Sequence, residues 1–275
     1  MMDKLKKTSA DIRRLIIDKA YECGQSAHLG GALSMIDIMS VLYEKVLTFK
    51  ADEPECEQRD IFILSKGHTV LGYVATLFHY NYFPKEVFDT FQTNGSKLIA
   101  HPIKNLAYGI ESSNGSLGQG ISYASGMALG YKKRGMGNRV FVMMGDGECN
   151  EGSVWEAAQL SAELSLNNLV VIIDVNGYRN DGMTAYGANS SLNLQSMWSS
   201  FGWNAVSIDG HNFDEIMEAF EHACGSDSKP TAIIANTVKG KGFSFMESNN
   251  DWHHNRITKV VYEQCLAELG KNNAN

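Results

Sequence analysis

The sequence predicts an α/β protein, a single domain over residues 1–275 with a mostly parallel central sheet and helices on both of its faces. One observation is that neither an internal repeat, a low-complexity segment nor a long linker divides the chain. The other is that short apolar runs without alternation recur between helical stretches, which is typical of buried parallel strands. These runs are "IFIL" (61–64), "VFVMM" (140–144), "LVVIID" (169–174) and "TAIIANT" (231–237).

Three helices are predicted from local patterns. The first is indicated near the amino end by apolar residues at helical spacing: Ile12, Leu15, Ile16 and Ala20. The second covers residues 117–134, with apolar side chains on one face and three basic residues at its carboxyl end before Gly135. The third follows the run at 140–144, where Ser153 and Glu156 match a capping box.

The composition disfavours several classes of function. No apolar run approaches the roughly 20 residues that cross a bilayer, and the charged start is unlike a signal peptide, so we expect a cytoplasmic protein with no membrane partner. A net charge of −7, with no basic cluster beyond residues 132–134, weighs against nucleic acid as a partner. The 5 cysteines contain no Cys-x-x-Cys pair, which favours reduced thiols over disulfides or a zinc site.

Two polar turns follow consecutive apolar runs of the predicted sheet. Gly145-Asp146-Gly147 follows the run at 140–144, and Asn176 closes the next run after one helical crossover. The carboxyl ends of parallel strands collect ligands, and adjacent strands lie about 4.8 Å apart. We therefore expect Asp146 and Asn176 to share a magnesium ion, which prefers oxygen ligands and completes its shell with ligand phosphates and water.

This arrangement resembles the thiamine diphosphate-binding motif of the transketolase family, which begins with Gly-Asp-Gly and closes with an asparagine. Other stretches of the chain are similar to transketolase in the same order: "SAHLGGALSMIDI", "LSKGHTVLGY", "AHPIKN", "NGSLGQGISYASGMALG" and "KGKGFSFMESNNDWHH". The resemblance covers nearly the whole chain. It implies the thiamine diphosphate-binding fold, and specifically the amino-terminal, diphosphate-binding half of a transketolase.

The resemblance implies a combined metal and cofactor site. Asp146 and Asn176 would ligate Mg²⁺, or another divalent cation such as Ca²⁺ or Mn²⁺, through their side chains, and Tyr178 would ligate it through its carbonyl. The residues implied to bind thiamine diphosphate are His68, Gly115, Ser116, Leu117, Gly145, Asp146, Gly147, Asn176 and His253. The glycine spacing in "NGSLGQG" does not match a dinucleotide fingerprint.

Four of the 8 histidines fall inside matching motifs. The resemblance implies that His28, His101 and His253 face the substrate channel as catalytic residues, and that His68 and His253 lie near the diphosphate. A neutral imidazole can donate from one nitrogen and accept at the other, and its ordinary pKa suits proton transfer among hydroxyl groups. The remaining histidines have no such support: His79, His211, His222 and His254.

The implied activity is transfer of a two-carbon ketol unit from a ketose donor to an aldose acceptor, with sugars or sugar phosphates as substrates. In the family, the glutamate that activates the cofactor lies in a second, pyrimidine-binding half, which this sequence does not match. We therefore expect one subunit of a split transketolase, which acts with a carboxy-terminal chain in an α₂β₂ assembly. Glu151 and Glu156 resemble glutamates that the family buries between subunits.

Three alternatives stay open from the sequence. One is another thiamine diphosphate enzyme, either a relative of 1-deoxyxylulose-5-phosphate synthase or a 2-oxo acid dehydrogenase α subunit; His68 together with His101 favours transketolase over the dehydrogenase. Another is a non-catalytic binding or regulatory module, disfavoured by the intact Asp146, Asn176 and histidines. The third is a magnesium-dependent nucleotide binder, disfavoured because the sequence has no Gly-x-x-x-x-Gly-Lys-Ser/Thr loop.

Overall fold

A parallel sheet organises the part of the chain that the computed structural model describes, residues 2–186, 192–226 and 228–272. The strands within these ranges are β1 (Ile61–Leu64), β2 (Val140–Gly145), β3 (Leu169–Val175), β4 (Tyr178–Arg179), β5 (Gly182–Met183), β6 (Asn204–Asp209) and β7 (Thr231–Asn236). Five of these described strands pair in parallel in the order β1-β2-β3-β7-β6, while β4 and β5 form a separate antiparallel ribbon. The predicted mostly parallel sheet is confirmed.

Helices cover both faces of this sheet, as predicted. They are α1 (Met2–Cys23), α2 (Leu29–Ser34), α3 (Ile36–Val41), α4 (Val70–His79), α5 (Lys85–Phe88), α6 (Gly120–Lys133), α7 (Gly152–Glu163), α8 (Leu194–Ser200), α9 (Phe213–Cys224) and α10 (Lys259–Asn272). One hydrophobic cluster joins the sheet to α1–α5, α9 and α10, and a second joins it to α6–α8. None of the helices in the described ranges is long and apolar enough to cross a membrane.

The sheet is covered on both sides, which explains why its strands lack alternation. In β2, Val140, Val142 and Met144 belong to the cluster under α6–α8, whereas Phe141 and Met143 belong to the cluster on the opposite face. Every second side chain of a strand points to the same face, so a strand between two helix layers is apolar throughout. The four apolar runs predicted as strands are confirmed to within one residue at their ends.

The edge strand β6 was not predicted. Its sequence, "NAVSID", mixes polar and apolar residues, and most of its side chains are only partly buried. Among the described strands it pairs only with β7, so it forms one edge of the sheet. A search for continuous apolar runs therefore finds the inner strands and misses this one.

The helix predicted over residues 117–134 is shorter in the structure. It begins at Gly120, because Gly118 has a left-handed backbone with φ of 79° and its N–H donates to the Glu148 carboxylate at 2.8 Å. A side chain at Gly118 would meet Ser153 Oγ at 2.6 Å. The turn at residues 117–119 is thus held by tertiary contacts that the helical pattern does not reveal.

The capping box predicted at Ser153 and Glu156 is wrong. The helix α7 begins at Gly152, two residues earlier than a cap at Ser153 requires, and its N-cap residue Glu151 makes no side-chain capping hydrogen bond. The Ser153 hydroxyl instead donates to the Gly118 carbonyl at 3.0 Å. An N-cap serine accepts a backbone N–H of its helix, but Ser153 lies inside the first turn, and the N-cap position is occupied by Glu151.

Candidate active site

The turns after β2 and β3 meet at the carboxyl edge of the sheet. Gly145 pairs with Asp174 in the parallel register, so Asp146 and Asn176 follow adjacent strands as predicted. The Asp146 carboxylate is almost fully buried and accepts hydrogen bonds from the N–H of Gly147 at 2.9 Å and of Gly177 at 2.9 Å. It thereby ties the Gly-Asp-Gly turn directly to the turn that carries Asn176.

The Asp146 carboxylate has a negative charge that no ion pair among the described residues compensates. Burial raises its pKa to about 6, against the lowering effect of the Thr184 hydroxyl, which donates to it at 2.6 Å. No lysine or arginine in the described ranges forms an ion pair with it. A buried carboxylate without a counter-charge is costly, and a divalent cation at this position would remove that cost.

Asn176 and Tyr178 flank Gly177, whose N–H donates to this carboxylate. The Asn176 amide is oriented by its Nδ2, which donates to Asp174 Oδ2 at 3.0 Å, and its Oδ1 accepts the Tyr178 N–H at 3.2 Å. Within the described residues, no group of three histidine, cysteine or acidic side chains could hold a metal. The oxygens present, one carboxylate, one amide and one carbonyl, fit a magnesium ion that keeps positions for diphosphate and water.

The raised pKa of Asp146 predicts how metal affinity depends on pH. The carboxylate must lose its proton to bind a cation, so affinity should be constant above about pH 7 and fall roughly tenfold per pH unit below about pH 6. Titration of the chain with Mn²⁺ in the presence of thiamine diphosphate, followed by electron paramagnetic resonance between pH 5 and 8, measures this. An affinity that stays flat down to about pH 5 would contradict the assignment.

A cavity of about 520 Å³ opens beside this edge of the sheet. Its described lining contains most of the residues predicted from the sequence: His28, His68, Gly115, Leu117, Gly145, Asp146, Gly147, Asn176, Tyr178 and His253. The structure therefore brings together residues from five separate sequence motifs. The cavity is large enough to hold the diphosphate end of a cofactor together with a small sugar.

Two predicted site residues lie outside this lining. Ser116 is exposed next to Gly115, and His101 is half-buried behind the same segment. A side chain at Gly115 would come within 4.0 Å of His101 Cδ2, and His101 acts electrostatically on both His28 and His68. His101 therefore lies close to the histidines of the cavity, while its place near the substrate and its catalytic role stay predictions.

Four histidine rings form a cluster on one wall of the cavity. The ring centroid of His28 lies 4.9 Å from that of His68, 5.3 Å from that of His253 and 4.5 Å from that of His254. Burial, with smaller contributions from neighbouring histidines and lysines, lowers the pKa of His28 to about 3, of His68 to about 2 and of His253 to about 4. These three imidazoles are neutral at neutral pH. His254, which had no motif support, joins the cluster at its exposed side.

Two buried lysines of the cavity were missed by the sequence analysis. Lys66 and Lys239 are each only 1% exposed. Lys66 forms an ion pair with Asp174 and also donates to the Gly31 carbonyl at 3.0 Å. Lys239 has no carboxylate partner among the described residues, and burial lowers its pKa to about 8, which leaves it protonated at neutral pH. A buried cation of this kind can hold an anionic diphosphate.

Two buried acids were also missed. Asp174 accepts hydrogen bonds from Asn176 and from the Ser34 hydroxyl at 2.7 Å, and Lys66 holds its pKa below the usual value against the opposing effect of burial. Glu148 accepts the N–H groups of Gly118 at 2.8 Å and Gly145 at 3.2 Å, and burial raises its pKa. Through these hydrogen bonds, the two acids hold the turns that carry the predicted metal ligands. The only local signal was their nearness to the motifs.

His211, another histidine without motif support, has a structural place behind the cavity. Its Nε2 accepts the Val238 N–H at 2.8 Å, and its Nδ1 lies 2.8 Å from Asp37 Oδ2. The same carboxylate binds Arg13 through two hydrogen bonds of 2.9 and 2.8 Å. This buried group anchors the backbone just before Lys239.

Comparison with known proteins agrees with this geometry. The family model of the transketolase thiamine diphosphate binding domain matches residues 5–274. The chain is 38% identical to the 6-deoxy-6-sulfo-D-fructose transketolase subunit SqwG of a Clostridium species, over 96% of this chain and 95% of that protein. It is 36% identical to one of the apulose-4-phosphate transketolase subunits of Actinobacillus succinogenes, over 97% of this chain and 96% of that protein.

The solved structures show the same relationship for the fold. A transketolase variant from Pichia stipitis superimposes with a TM-score of 0.89 at 26% identity, over 97% of this chain. The alignment covers 41% of that protein, so the chain spans less than half of its length. Sequence, fold and site geometry lead to one conclusion: the chain belongs to the transketolase family and carries its thiamine diphosphate-binding domain.

Proposed function

We propose that the chain is the diphosphate-binding subunit of a two-chain transketolase, which transfers a two-carbon ketol unit from a ketose donor to an aldose acceptor. The observation that carries this proposal is a single cavity that joins the oxygens of Asp146 and Asn176 to a wall of neutral histidines. Support for a second chain comes from relatives that are themselves named as transketolase subunits and that match this chain over nearly their full length.

The cofactor end of the cavity suits thiamine diphosphate with a divalent cation, Mg²⁺ or an equivalent such as Ca²⁺ or Mn²⁺. Asp146, Asn176 and the Tyr178 carbonyl would hold the cation, and Lys239 with His68 would hold the diphosphate. When bound, thiamine diphosphate supplies the carbon nucleophile and the electron sink for cleaving the ketose. The protein orients the group and neutralises its charge.

The histidines occupy the substrate end of the cavity. His28 and His253, neutral at neutral pH, can hold the hydroxyl groups of the ketol unit through hydrogen bonds. The half-buried His101 approaches the same region behind Gly115. The two subunit relatives are named for substrates with different tails, a sulfonate and a phosphate. We therefore propose that this chain binds the ketol end, which ketose substrates share, and that the partner binds the substrate tail.

The surface for the partner would lie along α6 and α7. Glu151 lines the cavity at the start of α7, and the exposed Glu156 and Leu160 follow along the same helix. A groove of about 290 Å³ between the two helices is lined by Glu156, Leu160 and Leu129, and Tyr123 on α6 is 42% exposed. Exposed apolar side chains beside a catalytic cavity favour a protein interface, here with a chain that carries the pyrimidine-binding domain in an α₂β₂ assembly.

One assay separates this function from its alternatives. The chain is co-purified with the protein encoded beside it, and ketol transfer between sugars, decarboxylation of pyruvate and binding of thiamine diphosphate are measured on the same preparation. We expect ketol transfer. Pyruvate decarboxylation without ketol transfer would contradict the proposal in favour of another thiamine diphosphate enzyme, and cofactor binding without either reaction would favour a non-catalytic module.

The substrate role of His101 predicts a selective loss of turnover. In the assembled enzyme, His101→Ala should lower kcat by about 10²-fold, because a group that positions or protonates the donor hydroxyl is removed. Its affinity for thiamine diphosphate should stay within about twofold, since His101 is not among the residues expected to bind the cofactor. Steady-state kinetics and titration calorimetry measure the two effects.

The matched control for this change is His222→Ala, an exposed histidine on α9 that should alter neither quantity. An equal loss of cofactor affinity and turnover in His101→Ala would assign His101 to structural support of the Gly115 segment instead of substrate contact.

A further inference from the structure

Lys239 lies where the histidine cluster meets the turn that carries the predicted metal ligands. Its Nζ is 2.7 Å from Asn250 Oδ1, 2.7 Å from His253 Nδ1 and 5.4 Å from the ring centroid of Tyr178. The side chain is buried among these partners. An ammonium group therefore contacts one nitrogen of a histidine that also lines the substrate end of the cavity.

The direction of these hydrogen bonds follows from the partners. Asn250 Nδ2 donates to the Asn180 carbonyl at 3.2 Å, which leaves Asn250 Oδ1 as the acceptor that faces Lys239. A lysine ammonium has three donors and no acceptor. The His253 nitrogen that it contacts must also accept, so in the neutral ring Nδ1 carries the lone pair and Nε2 carries the proton.

The lysine is held rigidly enough to impose this arrangement. A side chain at Gly30 would meet Lys239 Cγ at 2.8 Å and the Trp252 carbonyl at 3.1 Å, so the lysine stem packs directly against the glycine backbone. The Lys239 carbonyl accepts the Ser248 N–H at 2.9 Å, and the Gly240 N–H donates to the Gly30 carbonyl at 3.0 Å. Together with the anchor at Val238, these contacts fix the segment on both sides of the lysine.

We propose that Lys239 is a positioning residue that fixes His253 as its Nε2–H tautomer, so that His253 presents a hydrogen-bond donor to the substrate. Among the described residues Nε2 has no partner, and it is the nitrogen left for a ligand in the cavity. A donor at this place stabilises negative charge on a substrate oxygen and leaves proton acceptance to the other histidines. The substrate part of this inference rests on the proposed function, whereas the tautomer does not.

The tautomer is read from the side-chain nitrogens by long-range ¹H–¹⁵N NMR on the full chain labelled at histidine. We expect an unprotonated Nδ1 and a protonated Nε2 for His253. The His253 signals are assigned by their loss in His253→Gln. In Lys239→Met the two nitrogen shifts should converge, because a ring without this donor samples both tautomers. Lys241→Met, which removes a less buried lysine two residues away, should leave both shifts unchanged.

A protonated Nδ1 in the unaltered chain would overturn the inference, and that spectrum decides the point even if Lys239→Met does not fold. Unchanged His253 shifts in a folded Lys239→Met would overturn it as well. Both outcomes are independent of ketol transfer. A failure of the proposed function in the sugar assay is thus distinguishable from a failure of this inference.

Discussion

Replacing Asp146 with alanine is expected to abolish metal-dependent binding of thiamine diphosphate by the assembled enzyme. The carboxylate is the only charged side chain among the three predicted metal ligands, and it also holds the Gly177 N–H of the neighbouring turn. We expect affinity to fall by about 100-fold or more, which corresponds to about 3 kcal/mol. Asn176→Ala should weaken binding by about tenfold, because it removes a neutral ligand. Titration calorimetry with Mg²⁺ present measures both losses.

Two matched variants show whether the loss comes from the charge. Thr184→Val removes the hydroxyl that donates to Asp146 but keeps the carboxylate, and Asp181→Ala removes an exposed acid that lines the same cavity. Both should keep cofactor affinity close to that of the unaltered enzyme. Thermal unfolding shows whether Asp146→Ala remains folded. Unchanged affinity in a folded Asp146→Ala would show that the metal site lies elsewhere.

The predictable part of this site is the part that strand geometry dictates. Asp146 and Asn176 are far apart in the chain, but each directly follows a strand, and the parallel register of Gly145 with Asp174 brings the two turns together. The sheet itself was predictable because inner strands between two helix layers must be apolar throughout. The histidines were placed by the resemblance, and the structure gathers three of them, His28, His68 and His253, in the cavity lining.

The buried charged partners could not be predicted, because a buried charge has no local sequence pattern. Lys66 and its partner Asp174 are separated by 108 positions, and this ion pair offsets the cost of burying the lysine. Burial of Lys239 could not be predicted either, because a lysine beside a glycine turn is ordinarily exposed. The capping box at Ser153 is wrong because the helix already begins at Gly152. The Ser153 hydroxyl donates to the Gly118 carbonyl, 35 positions away, a contact that no local pattern reveals.

Electrostatics divides the cavity into two regions with different tasks. In the described part of the chain, Asp146 has no ion-pair partner at the end that would bind a cation, while Lys66 is neutralised by Asp174. Lys239 stands between this end and the histidines, whose lowered pKa values keep them neutral. A cation and an anionic diphosphate would bind the charged end, while neutral imidazoles remain free to exchange hydrogen bonds with hydroxyl groups.

The other large effect is expected from mixing subunits. The proposed function places the glutamate that activates the cofactor on a partner chain, so the purified chain should show no ketol transfer above background and should bind thiamine diphosphate weakly. Adding the partner should restore turnover and produce a larger assembly, because the α6 and α7 surface becomes buried. A steady-state ketol-transfer assay, run beside analytical ultracentrifugation, measures activity and assembly on the same samples.

An interface variant connects this activity to the proposed surface. Leu160 on α7 is 50% exposed, and Leu160→Asp would place a charge inside an apolar contact, which should weaken assembly by about 2 kcal/mol and lower turnover in proportion at limiting partner concentration. Val260→Asp changes an equally apolar residue, 65% exposed on α10, and should alter neither quantity, since α10 packs on the opposite face of the sheet.

If the chain alone, with its purity verified by mass spectrometry, turned over sugars as fast as the mixture, the two-chain proposal would be wrong, and the groups that activate the cofactor would have to lie within residues 1–275.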